Sequence, residues 1–126
     1  MIYGIGTDIA GIRRMGEVHA RYGGKLARRM LAPEELGEYA AARDKAVFLA
    51  KRFAAKEAFS KAVGTGMRAP VMLTSVGVVH DALGRPGFAF AAELADWMRE
   101  RGLGRVHLSL SDERDYVVAF VLVESK

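Results

Sequence analysis

The chain has 126 residues, 51% hydrophobic and 27% charged, with a formal net charge of +4 and no cysteine. This length predicts one domain over residues 1–126 with a core of its own, and the lack of cysteine excludes disulfides and thiolate metal sites. The start lacks the build of a signal peptide and no apolar run reaches the length of a membrane span, so a cytoplasmic protein without membrane contact is expected.

Residues Ile2 to Ala10 read as a strand, with Ile2, Gly4, Gly6, Asp8 and Ala10 on one side and Tyr3, Ile5, Thr7 and Ile9 on the other. Glycine inside a strand marks close approach by a ligand or by another backbone. Asp8 is therefore expected on an open face, its ordinary alternative being an N-terminal acid for the helix that follows. From Gly11 to about Met30 the pattern is helical, broken at Gly23-Gly24. Pro33-Glu34-Glu35 resembles the first turn of a short helix carrying Leu36 and Tyr39. A long helix is expected from about Lys45 to Val63, with Val47, Phe48, Ala55, Phe59 and Ala62 as its core stripe and Gly64-Thr65-Gly66 as its stop.

The second half changes character. Val71 to Val79 reads as a strand, Asp81 to Gly87 as a turn, and Phe88 to Phe90 as a short return. Ala91 to Arg101 is helical, with Leu94, Ala95 and Met98 inward and Gly102 ending it. Arg105 to Leu110 and Tyr116 to Glu124 form a hairpin whose last strand, apolar on both sides, should be central and covered. The expected class is α+β: helices early, an antiparallel sheet late, and the first strand returning to join it.

Charge is concentrated. Between Arg13 and Arg29 six cations (Arg13, Arg14, Arg21, Lys25, Arg28, Arg29) face one acid, Glu17. Such a surface is either a solvated helix face or a dock for an acidic partner. Glu57 and Lys61 lie one helical turn apart, which alone is an ordinary surface ion pair. Together with Asp8 they become two carboxylates and an ammonium, the equipment for a magnesium-bound diphosphate, because magnesium takes few protein oxygens and fills its shell with water and phosphate. His107 and Ser109 share the polar side of their strand with Ser111 and can line a phosphate or nucleotide pocket, or simply face solvent. Gly64 to Gly66 can offer amides to a phosphate or merely end the helix. A third glycine for a dinucleotide fingerprint, a Walker A loop and a zinc-protease helix are all missing.

Taken together, Gly4-Ile5-Gly6-Thr7-Asp8-Ile9, the block from Arg52 to Ala58 followed by Lys61 and Gly64-Thr65-Gly66, and His107-Leu108-Ser109-Leu110-Ser111 resemble the holo-acyl-carrier-protein synthase family of phosphopantetheinyl transferases. The resemblance covers the whole chain, and the central block is highly specific. It implies a transferase-like α+β fold, an antiparallel sheet packed with helices, assembled as a homotrimer with coenzyme A between subunits. The implied reaction moves 4′-phosphopantetheine from coenzyme A to a serine of apo acyl carrier protein, releasing adenosine 3′,5′-bisphosphate. By motif position, Asp8 and Glu57 would hold Mg2+ and Lys61 would contact the diphosphate. Arg52, Gly64, Thr65, Gly66, Arg85, Pro86, His107 and Ser109 would bind coenzyme A. Arginine stands at 85 where many relatives have lysine. Arg13, Arg14, Arg21 and Lys25 would dock the acidic carrier. The proton acceptor for the serine, either Glu57 or a metal-bound water, stays open.

Two other readings compete. A basic nucleic-acid binder would use the same Arg13 to Arg29 surface, but it leaves Asp8 and Glu57 unexplained and lacks an aromatic stacking platform. A non-catalytic adaptor for acidic proteins is disfavoured because Asp8, Glu57 and Lys61 are all present. A transferase with no nucleic-acid partner is the expectation.

Overall fold

The computed structural model describes residues 1–126. Strand β1 (Ile2–Gly11) leads into helices α1 (Ile12–Tyr22) and α2 (Gly24–Met30), a 3-10 turn (Pro33–Glu35), α3 (Leu36–Ala41) and the long α4 (Lys45–Ala62). After a second 3-10 turn (Leu73–Ser75) come β2 (Val76–His80), β3 (Pro86–Phe90), α5 (Ala92–Glu100), β4 (Leu103–Asp112) and β5 (Tyr116–Ser125). The main sheet has the order β1-β5-β4, all antiparallel, so β5 is central and β1 does return to join it. β2 and β3 form a separate two-stranded ribbon. No helix is long and apolar enough to cross a membrane.

The two faces of β1 are the reverse of the expectation for Asp8. Gly4, Gly6, Asp8 and Ala10 turn inward onto α4, while Ile5, Thr7 and Ile9 are exposed. The glycines mark a backbone, not open space: a Cβ on Gly6 would sit 2.0 Å from the Ala58 carbonyl oxygen, and one on Gly4 2.0 Å from that of Ala62. Bare positions on both elements let helix and strand touch main chain to main chain.

Helix α4 starts where the Asp44 side chain accepts the Val47 amide at 3.1 Å, a standard N-cap. Its expected apolar stripe is only part of what is covered. Leu49, Ala50, Ala54, Ala58 and Ser60 are also buried, and so are Arg52 and Lys56, because α1, the ribbon and the sheet surround the helix. Small residues face the sheet, where Val117, Ala119, Val121 and Val123 of β5 are buried against them. Phe59 faces the ribbon and packs on Phe88 and Phe90 at ring distances of 5.5 and 5.0 Å. The strand expected from Val71 forms only from Val76, since the Leu73–Ser75 turn takes the preceding stretch.

Burying Arg52 and Lys56 requires a counter-charge, and Glu35 supplies it. Its Oε1 accepts Lys56 Nζ at 2.6 Å and the Ala32 amide at 2.8 Å; its Oε2 accepts Arg52 at 2.9 Å and the Val78 amide at 3.0 Å. Arg52 also reaches the Val78 carbonyl at 2.9 Å and Glu38 at 3.2 Å. Burial alone would raise the Glu35 carboxyl, but the Lys56 charge and the bonds from Lys56 and Arg52 outweigh it and leave it lowered.

Two outcomes follow from this packing. Gly6→Ala is expected to lose about 3 kcal/mol or more in urea unfolding, since main chain cannot yield to the new methyl; unchanged stability would contradict the close approach. Glu35 stays ionised in the folded chain below the pH at which unfolded glutamates take up protons. The stability it contributes is therefore complete above the ordinary glutamate range and lost as pH falls through and below it. Glu35→Gln should cost about 3–5 kcal/mol at neutral pH, because it leaves buried cations unpaired. It should also flatten the acid limb of a stability–pH series, and an unchanged limb would contradict the assignment.

Candidate active site

Asp8 lies two residues beyond Gly6 on the inward face of β1, so the contact that seats α4 also brings that helix to Asp8. Glu57 and Lys61, each just before a contact alanine (Ala58, Ala62), share the adjoining helix face. Lys61 Nζ donates to Asp8 Oδ1 at 3.2 Å and to the Thr7 carbonyl at 2.9 Å. Burial, and then the charge of Asp8 beside it, raise the Glu57 carboxyl above the ordinary glutamate range, with Lys61 pulling the other way. Lys61 thus meets Asp8 directly, and Glu57 stands near enough for its charge to interact with both, partly open to solvent.

The chemistry of this donor set is specific. It holds two hard carboxylates, and no group of three or more His, Cys, Asp or Glu side chains is clustered anywhere as a metal cage. That suits a cation which keeps water and takes phosphate oxygens from its ligand, the habit of magnesium. The mutual repulsion that contributes to the raised Glu57 carboxyl is what a divalent ion between the two would relieve.

The remaining predicted residues are not gathered here. Arg52 lies five residues before Glu57, roughly 140° around the helix, and is bound to Glu35, Glu38 and the ribbon. It edges a separate hollow of about 500 Å³ shared with Arg43, Lys51 and His80. Gly64 and Gly66 adopt φ values of +85° and +65°, and their amides bond the Lys61 and Ser60 carbonyls, so both act as the helix stop. Thr65 turns its hydroxyl to the Gly66 carbonyl. Arg85 and Pro86 follow the exposed β2–β3 turn, which Asp81 holds by accepting the Leu83 and Arg85 amides at 2.9 Å each.

His107 and Ser109 lie on the outer face of the main sheet, in register with Leu122 and Phe120, whereas Asp8 is on the inner face. His107 is within 2.6 Å of Glu124. That outer face is apolar and exposed: Ile5, Ile9, Tyr116, Val118 and Phe120 are each 40% or more accessible. β5 is central as expected, but this chain alone covers only one side of it.

Arg13, Arg14, Arg21 and Lys25 are exposed on α1 and α2, together with Arg28 and Arg29. Arg13 pairs with Glu17 at 3.4 Å, and Arg21 lies 5.9 Å from the Tyr22 ring centroid. Beside them is a hollow of about 450 Å³ lined by Ile9, Met15, Val18, Leu26, Met30 and Phe53, with Arg14 at its edge. Phe53 is one turn before Glu57, so this apolar hollow adjoins the carboxylates. Sequence reasoning missed the hollow, and it missed Glu35 and Lys56. A lysine set among Ala55, Ala58 and Phe59 was the available signal.

Comparison with known proteins gives the family. Residues 4–121 match the 4′-phosphopantetheinyl transferase superfamily. The chain is 58% identical to the holo-[acyl-carrier-protein] synthase of Laribacter hongkongensis over 98% of this chain and 99% of that one. It superposes on the crystal structure of the Neisseria meningitidis holo-[acyl-carrier-protein] synthase with a TM-score of 0.96, at 51% identity, covering 99% and 100% of the two chains. It also matches a Bacillus anthracis synthase solved in complex with CoA (3′,5′-ADP), with a TM-score of 0.84 at 33% identity, over 100% and 99%. With sequence and fold in accord, the chain belongs to the holo-[acyl-carrier-protein] synthase family of the 4′-phosphopantetheinyl transferase superfamily.

Proposed function

We propose that this chain transfers 4′-phosphopantetheine from coenzyme A to a serine hydroxyl of apo acyl carrier protein, releasing adenosine 3′,5′-bisphosphate. The observation that carries this reading is the meeting of Asp8, Glu57 and Lys61 beside a basic, partly apolar docking face. The relatives' names and the coenzyme A complex support it.

The carrier's serine oxygen attacks the phosphorus on the pantetheine side of the diphosphate, and the bond to the nucleotide-side phosphate breaks. Such transfers depend on positioning and charge neutralisation more than on covalent help from the protein. Asp8 and Glu57 would hold Mg2+, which when bound supplies Lewis-acid neutralisation of the diphosphate oxygens. Lys61, exposed on a long stem, can swing from Asp8 to the diphosphate and balance charge on the leaving phosphate. The serine proton has two acceptors in this geometry, Glu57 directly or solvent between the carboxylates.

The α1–α2 cations steer an acidic helical carrier toward the carboxylates. A closed homotrimer accounts for the exposed apolar sheet face, which is too apolar to leave in water. It also accounts for coenzyme A contacts on opposite sides of one chain: a neighbour's Arg85, His107 and Ser109 can complete the site of Asp8, Glu57 and Lys61. The fitting compartment is the cytoplasm.

The test is the intact mass of apo acyl carrier protein after incubation with the enzyme, coenzyme A and Mg2+. A phosphopantetheine-sized gain that disappears with chelator is expected, and no gain on a competent apo carrier contradicts the proposal. Asp8→Ala and Glu57→Ala should each abolish transfer with the fold intact. Arg14→Glu should slow carrier association by about tenfold with the KM for coenzyme A unchanged; an unchanged carrier association rate would place docking elsewhere.

A further inference from the structure

We propose that Lys56 is a positioning residue: its buried ammonium fixes the docking segment α2 against the helix carrying Glu57, and so sets where the carrier's serine arrives. This rests on the carrier-docking reading of α1 and α2 given above.

The ammonium has three donors and three acceptors, each from a different segment. They are the Met30 carbonyl at the end of α2 at 2.8 Å, Glu35 Oε1 at 2.6 Å and the Leu73 carbonyl at 2.8 Å. Nothing of Lys56 is exposed, and every buried side-chain polar atom in the chain has a partner. The bond to Met30 is the hydrogen bond that links α2 to α4.

The other attachment of α2 is apolar. Ala27, Met30 and Leu31 pack on Leu49 in a small cluster apart from the main core. Apolar contact is non-directional and holds a seven-residue helix without fixing its rotation or its slide. The chain before α2 turns at Gly23, at a φ of +52° with its amide on the His19 carbonyl, which ties α2 to α1 rather than to α4. A directed bond from a side chain whose stem is itself enclosed defines both rotation and slide. Hydrophobic groups of similar volume often replace a buried ion pair without loss of stability, so what this arrangement supplies is orientation.

The position of Lys56 gives that orientation a functional reading. Its neighbour Glu57 turns toward Asp8 while Lys56 turns toward α2, so one turn of helix references both the reaction centre and the surface bearing Lys25, Arg28 and Arg29. Any shift of α2 against α4 would displace a docked carrier relative to the carboxylates without touching them.

The experiment compares the full-length enzyme with two variants. Glu35→Gln/Lys56→Met removes both charges of that pair, and Arg52 keeps Glu38 and the Val78 carbonyl. Lys56→Arg keeps a cation beside Glu35, but a planar guanidinium cannot reproduce the three-way donation. Steady-state kinetics with apo acyl carrier protein and coenzyme A are measured on protein shown to be folded by circular dichroism. The expected result in Lys56→Arg is a rise of about tenfold or more in the KM for carrier, with the KM for coenzyme A unchanged. In a double-mutant cycle, Arg28→Glu/Arg29→Glu should cost far less in either Lys56 variant than in the wild type. A purely structural role would instead lower kcat through the folded fraction, leave the KM for carrier unchanged and make the cycle additive. Either of those last two findings in Lys56→Arg overturns the proposal.

Discussion

The contact of α4 with β1, main chain against main chain, is the constraint on which the rest of the molecule depends. It exists because Gly4 and Gly6 present nothing to the helix and because Ala58 and Ala62 present almost nothing to the strand. Any larger side chain on Gly4 or Gly6 would lift the helix from the sheet. With the contact in place, Asp8 on the strand and Glu57 and Lys61 on the helix come within reach of one another without a loop to position them. Sites built on rigid elements hold their geometry better than sites on loops. Burial, and then the Asp8 charge that this contact brings near, raise the Glu57 carboxyl.

The same packing divides the molecule's chemistry between faces. Placing α4 against the inner side of the sheet leaves Ile5, Ile9, Val118 and Phe120 facing outward beside His107 and Ser109. One chain thus carries the carboxylates on one side and the expected nucleotide-binding residues on another. In the assembly proposed above, a second copy would cover the apolar outer face and complete the divided ligand set. On another face of α4, Glu35 pairs with Arg52 and Lys56, and the bonds of all three tie α2, the Leu73–Ser75 turn and the ribbon to the same helix. Helix α4 is therefore the common reference for the candidate reaction centre, the proposed docking surface and the ribbon.

Much of this was legible in residues. Strand β1, the break at Gly23, helix α4 and the β4–β5 hairpin follow from local periodicity and from glycine, which are short-range signals. Asp8, Glu57 and Lys61 were legible as a set because their types make chemical sense together. The facing of β1 was not legible. Alternation places Ile5 and Ile9 on one side and glycines on the other, and apolar residues ordinarily mark the core. Here the glycine side is the core, a fact that depends on which helix arrives. The burial of Arg52 and Lys56 was not legible, because their partner Glu35 lies 17 and 21 residues earlier. The strand expected at Val71 begins late, since the Leu73 carbonyl goes to Lys56. In each case the deciding contact is distant in the chain.

If one site is made by two copies, as proposed, complementation between two defective chains will show it. The direct measurement mixes two chains, one carrying Glu57→Ala and the other His107→Ala/Ser109→Ala, with mixed assemblies verified by native mass spectrometry. Each variant alone should transfer phosphopantetheine poorly. In mixed assemblies, an intact Glu57 from one chain meets intact His107 and Ser109 from the other, and activity should return. Mixed assemblies that form but remain as inactive as their parents would contradict the account.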